Sequence, residues 1–335
     1  MLLTKKTIFR LIYFLVVLLT ALFLLGLAVL LQSKAKIFSY SEKNKTPETA
    51  TPFPVSVDPK LKTITDNPLA DLYYQEKLAA APSAKDNWWN QVAGVFAAKS
   101  WYQNLASPVS RIIVIWPGDR KEEVVKHIGD TLNWNKEERE RFQNLVDKTE
   151  PVMPEGKYYP GQYVAHRKAK PEEVQKLITD SFEREILNRY TSEVSKKVPL
   201  EEALIIASLL EREASDFENK REIAGVIWNR LFKGMPLQLD ATLQYAKGSR
   251  PYEPSWWPKV NPRDKFIVSP FNTYENKGLP PAPIANPSAE AVLAALNPIK
   301  TDCLYYFHDK NKKYYCSPTY EEHVKKLRSL YGRGS

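Results

Sequence analysis

The most restrictive feature of this chain is a charge-free run, Ala203–Leu210 (ALIIASLL), that ends abruptly in Glu211-Arg212-Glu213. Pro199 just before it suits the first turn of a helix, and the spacing predicts a helix from Leu200. With no polar stripe along its middle, such a helix has to be covered by protein on most sides. It is therefore the element around which a core is built. At about 100° per residue, Glu211 falls among Leu200, Leu204 and Ala207, while Glu213 falls over Ile206 and Leu209. Each acid stands where the pattern calls for a hydrophobe. Desolvation disfavours the charged form of a carboxylate, and a carboxyl group that keeps its proton near neutrality is what a general acid requires. Glu211 is the first candidate and Glu213 its competitor. The other reading is that both pair with Arg212, Arg221 or Arg230 and only hold the fold. A second helix is expected over Glu222–Phe232, closed by Gly234 at a C-cap position.

The 335-residue chain is long enough for one large or two modest domains beyond its first segments. Leu11–Leu31 carries no charge and would give about 31 Å of helix, enough to cross a bilayer. It is too long for the apolar core of a cleaved signal peptide, and its small-x-small triplet Gly26-Leu27-Ala28 lies inside it, so an uncleaved anchor is expected. Lys5, Lys6 and Arg10 precede the span and Lys34, Lys36, Lys43 and Lys45 follow it, which nearly balances the positive-inside count. The short N-terminal tail favours a cytosolic start with the remainder exported. Ser39–Pro59 is rich in Ser, Thr and Pro and reads as a tether. Residues 61–108 contain aromatic-rich pieces suited to short amphipathic helices, with no assignable role.

Arg111–Ile115 reads as a strand and Trp116–Asp119 as a turn, with helices over Lys121–Leu132 and Lys136–Leu145: a small α+β module. Pro154–His166 suits an extended, turn-punctuated strand, and Lys170–Tyr190 an amphipathic helix with Val174, Leu177, Ile178, Phe182 and Ile186 on one face. The four histidines show no metal-ligand spacing, so no metal and no cofactor are expected. The net charge of +9, from 48 Lys and Arg against 39 Asp and Glu, suits an anionic partner such as lipid or an acidic wall polymer. A membrane anchor argues against nucleic acid.

Downstream of the central helix, Met235–Gly248 places Gln238 and Asp240 among apolar neighbours. Arg250–Ser288 is too rich in proline for a regular helix, and a loop of that length is usually functional when ordered. Aromatic faces with Asn, Gln and Asp groups are the ordinary lining of a saccharide cleft. Near the end, Cys303–Cys316 (CLYYFHDKNKKYYC) is expected to form a hairpin turning at Asp309-Lys310, with the two cysteines directly opposite. In an exported domain that geometry permits a disulfide; two buried free thiols are the alternative.

Four stretches occur together in a fixed order: Ala207–Ala214 (ASLLEREA), Ile223–Gly248, Ser269–Pro298 and Tyr305–His323. In this they resemble the YceG-like (MltG) endolytic murein transglycosylase family. The looser stretch 111–190, with Glu155–Tyr163 (EGKYYPGQY) after its two helices, resembles that family's LysM-like module. Three small departures, Asp240-Ala241-Thr242, Phe271-Asn272-Thr273-Tyr274 and Gly278-Leu279-Pro280-Pro281-Ala282, concern local loop geometry.

The resemblance, which leaves residues 61–108 uncovered, implies with the reading above an α+β protein in six parts. These are a cytoplasmic tail (1–10), a transmembrane helix (11–31), a tether (32–60), the unassigned segment (61–108), a LysM-like module (109–190) and a mixed α+β catalytic domain with a central buried helix (191–335). It implies a single-pass protein of the cytoplasmic membrane whose catalytic domain faces outward. That domain would cut peptidoglycan glycan strands internally at the MurNAc-β-1,4-GlcNAc bond and leave 1,6-anhydro ends, with peptidoglycan synthases as possible partners. Glu211 corresponds to the family's catalytic glutamate in this reading. It acts as acid and then base, so one carboxyl group suffices where a hydrolase needs two. Asn229, Gln238, Asp240, Asn272 and Tyr274 are the expected substrate-binding or glutamate-orienting groups. A two-acid muramidase using Asp240 with Glu211, and a non-catalytic wall-binding scaffold, remain open.

Overall fold

The computed structural model describes residues 13–14, 16–18, 20, 51–80, 109–214 and 216–332. The chain divides into two units, Met1–Thr49 with Trp88–Pro108 and Ala50–Asn87 with Val109–Ser335. Of the first, only helical residues between Tyr13 and Thr20 are described. Most of the expected span Leu11–Leu31, the tether up to residue 50 and residues 81–108 lie outside the described residues. Among the described residues no helix is long and apolar enough to cross a membrane.

The second unit is mixed α+β. Its elements are β1 (Val57–Asp58), β2 (Thr63–Ile64), α1 (Pro68–Ala80), β3 (Ser110–Ile115), α2 (Lys121–Leu132), α3 (Lys136–Asp147), β4 (Gly161–His166) and α4 (Pro171–Glu185). They are followed by α5 (Ser192–Lys197), α6 (Leu200–Glu213), α7 (Phe217–Phe232), α8 (Asp240–Gly248), α9 (Ala289–Leu296), β5 (Tyr305–His308), β6 (Tyr314–Ser317) and α10 (Tyr320–Tyr331). The strands form three antiparallel pairs, β1–β2, β3–β4 and β5–β6.

Helix α6 is the buried centre that its composition predicts: every residue from Ala203 to Leu210 is buried. It lies against α9 and α7. The alanines of α9 (AEAVLAAL) let its backbone come close, and all of α9 except Glu290 is buried. Helix α7 begins at Phe217, five positions before the expected Glu222, because the Asp216 side chain accepts from Asn219 N and caps an earlier start. Gly225 in its middle is a close approach: a Cβ there would meet Ile299 O at 2.4 Å.

In the smaller part, β3 and β4 pair from Ser110↔His166 to Ile115↔Gly161, with α2 and α3 between them in sequence. Only Gly161–His166 of the expected Pro154–His166 strand is regular. This strand–helix–helix–strand unit has its own core, including Ile113, Ile128, Phe142 and Tyr158. The expected boundary at residue 190 does not coincide with the division between cores. Val174 and Ile178 of α4 enter the smaller core, while Phe182 and the following Ile186 enter the larger one. One apolar stripe at four-residue spacing thus serves two cores in series, and both belong to one compact unit.

Two further expectations are corrected. Residues 51–60 are part of the fold rather than tether: Phe53 and Val57 enter the larger core, and Ser56 N donates to Leu296 O. Composition missed this because Pro54 and Pro59 interrupt any strand periodicity. The cysteines are not directly opposite, because Tyr306, not Cys303, pairs with Cys316. Asp309 Oδ1 accepts from Asn311 N and Lys313 N, and Lys312 adopts φ 63°, which moves the turn beyond Asp309-Lys310. Cys303, just before β5, reaches Cys316 diagonally and is joined to it by a disulfide.

Candidate active site

The two acids at the end of α6 have different surroundings. Glu211 is turned inward, its side chain 4% exposed, and its Oε2 lies 3.0 Å from Lys220 Nζ, itself 9% exposed. Its Oε1 accepts from Ser288 N (2.9 Å) and Ser288 Oγ (2.5 Å) at the start of α9. The same hydroxyl accepts from Ala291 N. All of these partners are donors, so the desolvation expected for Glu211 is met by an ammonium and a helix N-terminus. Lys220 also reaches Glu290 Oε1 at 3.4 Å. Burial works against its ammonium, but Glu211 and Glu290 outweigh it and hold the Lys220 pKa above the ordinary value.

Glu213 is partly buried and has no cationic hydrogen-bond partner among these contacts. Its Oε2 accepts from the Tyr306 hydroxyl at 2.9 Å, and Ala241 N, in the first turn of α8, donates to the carboxyl group. Burial pushes the Glu213 pKa above the usual carboxylate range, against the pull of these two donors, and the nearby Asp240 charge adds to the rise. None of the arginines expected to neutralise the pair forms an ion pair with either acid. Arg212 donates to Gly118 O and stacks on Trp257 at 3.8 Å. Arg221 binds Asp71 and Asn297 O. Arg230 is buried against the carbonyls of Leu304, Pro236 and Leu237.

The segments containing Asp240 and Tyr274 are locked together next to Glu213. Thr273 Oγ1 accepts from Leu239 N and lies 2.9 Å from Thr242 Oγ1, while Gln238 N donates to Thr273 O. Across this joint the Tyr274 hydroxyl donates to Asp240 Oδ1 at 2.7 Å. Asp240 and Gln238 are exposed and Tyr274 is partly so, and both Asp240 and Tyr274 lie close enough to Glu213 to feel its charge. Gln238 adopts φ 54°, and Arg230 Nη1 donates to its Oε1 at 3.5 Å.

The other two expected binding groups have structural duties. Asn272 is fully buried; its Nδ2 donates to Lys265 O and Ile267 O, and its Oδ1 accepts from Tyr274 N. Asn229 Nδ2 donates to Thr301 O and Cys303 O, tying α7 to the hairpin. Tyr306 is the group that sequence reasoning did not single out. Its only signal was a place in the YYFH run, where tyrosines on both faces make the inward one indistinguishable. Among the described residues no group of three or more His, Cys, Asp or Glu is placed to hold a metal ion.

The joint between the smaller part and the larger one runs close by. Asn286, fully buried, donates from Nδ2 to Asp119 O and Glu155 Oε1 and accepts at Oδ1 from Tyr158 N. Arg120, 1% exposed, donates to Ser249 Oγ and lies over the Tyr245 ring at 4.1 Å. These bonds hold the segment after Trp116 to the Asn286 loop and to α8, while Arg212 Nη1, donating to Gly118 O, ties the Trp116–Asp119 turn to the end of α6.

A sequence model of the YceG-like family matches residues 91–329. The chain belongs to the YceG-like family. It is 43% identical over 137 residues to an endolytic murein transglycosylase of Bacillus subtilis (strain 168), an alignment covering 41% of this chain and 36% of that protein. It is 34% identical over 170 residues to the endolytic murein transglycosylase of Streptococcus pneumoniae serotype 2 (strain D39), covering 50% of this chain and 31% of that one. The chain thus spans about a third of the length of the curated relatives it matches. A crystal structure of a yceG-like protein from Listeria monocytogenes superposes with a TM-score of 0.55 at 29% identity, covering 64% of this chain and 75% of that one. The matched region of this YceG-like chain includes both acids of α6 and the Asp240–Tyr274 joint.

Proposed function

We propose that this chain is an endolytic peptidoglycan lytic transglycosylase in which Glu213, rather than Glu211, is the general acid and then the base. The observation that carries this reading is the position of Glu213: a desolvated carboxyl group with a raised pKa, held by Tyr306 and Ala241 N, beside the solvent-accessible Asp240 and the partly exposed Tyr274. The neutral acid gives its proton to the glycosidic oxygen, and the electron pair of the breaking C–O bond goes to that oxygen. The 6-hydroxyl oxygen of the muramoyl residue bonds to the anomeric carbon, and its proton passes to the Glu213 carboxylate. The acid is thereby regenerated, and no second carboxylate is needed to activate water. Asp240, Tyr274 and Gln238 bind the sugar, and Glu211 holds α6 to α7 and α9. The names of the relatives support murein as the substrate. The same reading takes Leu11–Leu31 as a single membrane anchor with the enzyme outside the cytoplasmic membrane, 109–190 as a LysM-like wall-binding module, and peptidoglycan synthases as partners.

A two-acid hydrolase is the second reading, favoured by the closeness of Asp240, whose charge acts on Glu213. Digestion of purified peptidoglycan by the full chain, followed by mass spectrometry, separates the two. Anhydro ends, lighter by one water, are expected in the wild type and in Glu211→Gln and absent in Glu213→Gln. Reducing ends would support the hydrolase, and no cleavage by the wild type would leave a wall-binding scaffold.

A further inference from the structure

The contact between Tyr306 and Glu213 is made from a hairpin that is fastened at several points. Cys303, just before β5, is bonded to Cys316, and its carbonyl accepts from Asn229 Nδ2. Arg230 Nε donates to Leu304 O at 2.6 Å. Tyr306 pairs with Cys316 across the hairpin and stacks on Tyr314, with ring centroids 6.0 Å apart. Its hydroxyl is thereby aimed at one oxygen of Glu213, Oε2, at 2.9 Å.

We propose that Tyr306 is a positioning residue that fixes which oxygen of Glu213 carries the transferable proton. This rests on Glu213 being the general acid. In a neutral carboxyl group the carbonyl oxygen is the better acceptor. A phenol that always donates to Oε2 therefore sets the carbonyl there and the proton on Oε1. Burial and the neighbouring Glu213 charge raise the Tyr306 pKa well above the ordinary phenol value, so it stays a donor wherever the enzyme works. When the proton has left, the same bond becomes charge-assisted and stabilises the carboxylate that must next act as base. Besides Tyr306, the charged groups facing Glu213 are Asp240 at the start of α8 and Arg212 on α6 itself, and Arg230 and Tyr314 face Tyr306.

The test compares full-chain wild type, Glu213→Gln, Tyr306→Phe and Tyr306→3-fluorotyrosine for kcat, KM and pH profile on glycan strands. Tyr306→Phe keeps the ring and removes the donor. Its kcat should fall about 10- to 100-fold with KM within about twofold, and the alkaline limb of kcat should move up by about one pH unit. The fluorinated ring, a stronger donor of nearly the same shape, should move that limb down and keeps the test open if Tyr306→Phe folds poorly. If Glu213→Gln is inactive while both Tyr306 variants keep the wild-type limb, the proposal fails and the assignment of Glu213 stands. If Glu213→Gln cleaves normally, the assignment fails and takes the proposal with it.

Discussion

Replacing Glu211 tests whether its role is structural. In Glu211→Gln the two bonds from Ser288 can still be made, since an amide oxygen accepts as a carboxylate does. What is lost is the negative charge 3.0 Å from Lys220, whose side chain is only 9% exposed. Leaving one member of a buried ion pair without its partner costs about 3–5 kcal/mol. Glu290, 3.4 Å from the ammonium but 43% exposed, compensates in part, which argues for the lower end. At roughly 2–4 °C per kcal/mol for a chain of this size, the melting temperature should drop by about 10 °C. Lys220→Met in the same background removes the stranded charge at similar volume and should restore most of the loss. The pair also predicts a direction with pH. The Lys220 pKa is raised above 10.5, so its contribution is complete below about pH 10.5 and is lost as pH climbs through the folded value. Thermal melts of the full-length single and double variants in detergent measure all of this, with cleavage assayed at 25 °C. A Glu211→Gln protein that is fully folded at that temperature but cannot cleave would refute the assignment. So would one that melts with the wild type.

Two further outcomes follow from the site and its hairpin. In the proposed mechanism Glu213 acts as the neutral acid, so cleavage should hold below its raised pKa and decline as pH rises through it; Asp240→Asn, removing a charge that raises that pKa, should move the decline to lower pH in a kcat profile. Opening the Cys303–Cys316 disulfide with Cys303→Ser and Cys316→Ser should cost about 2–3 kcal/mol in denaturant unfolding and deprotect the amides of Tyr305–His308 before those of α6; equal protection in both proteins would show that the bond carries no load.

Much of the core was legible in the chain because one signal dominates it. A charge-free run over Ala203–Leu210 admits few arrangements other than a helix covered on most sides. The β3–α2–α3–β4 order was equally plain, since β-branched and 3.6-residue periods alternate cleanly there. The misses share a cause, which is that long-range partners decided the outcome. Residues 51–60 look like tether until Phe53 and Val57 find the core that buries them. Asn229 and Asn272 have the chemistry of saccharide-binding groups, yet backbone carbonyls of Thr301, Cys303, Lys265 and Ile267 occupy their amides. The register of the β5–β6 hairpin turned on the Asp309 side chain, which stabilises one of several turns the sequence permits.

The choice between the acids could not be made from periodicity for a geometric reason. Two positions along a helix rotate the side chain by about 200°, so both acids lie on apolar stripes but face opposite neighbours. Each reaches the N-terminus of another helix, Glu211 that of α9 and Glu213 that of α8. The third partner separates them: an ammonium for Glu211, a phenol with a nearby carboxylate for Glu213. Only the second arrangement lacks an ion-pair partner, which is why the proposed mechanism gives the proton transfer to Glu213. Arg212 stands between them, its guanidinium bonded to Gly118 O and stacked on Trp257. A Cβ on Gly118 would lie 3.4 Å from the Arg212 side chain and 3.7 Å from that of Glu211, ordinary van der Waals distances that place the turn directly beside the helix end. The three consecutive residues therefore anchor the helix end, latch it to the Trp116–Asp119 turn and, in the proposed mechanism, present the acid. A displacement of that turn would reach Glu213 through a single residue.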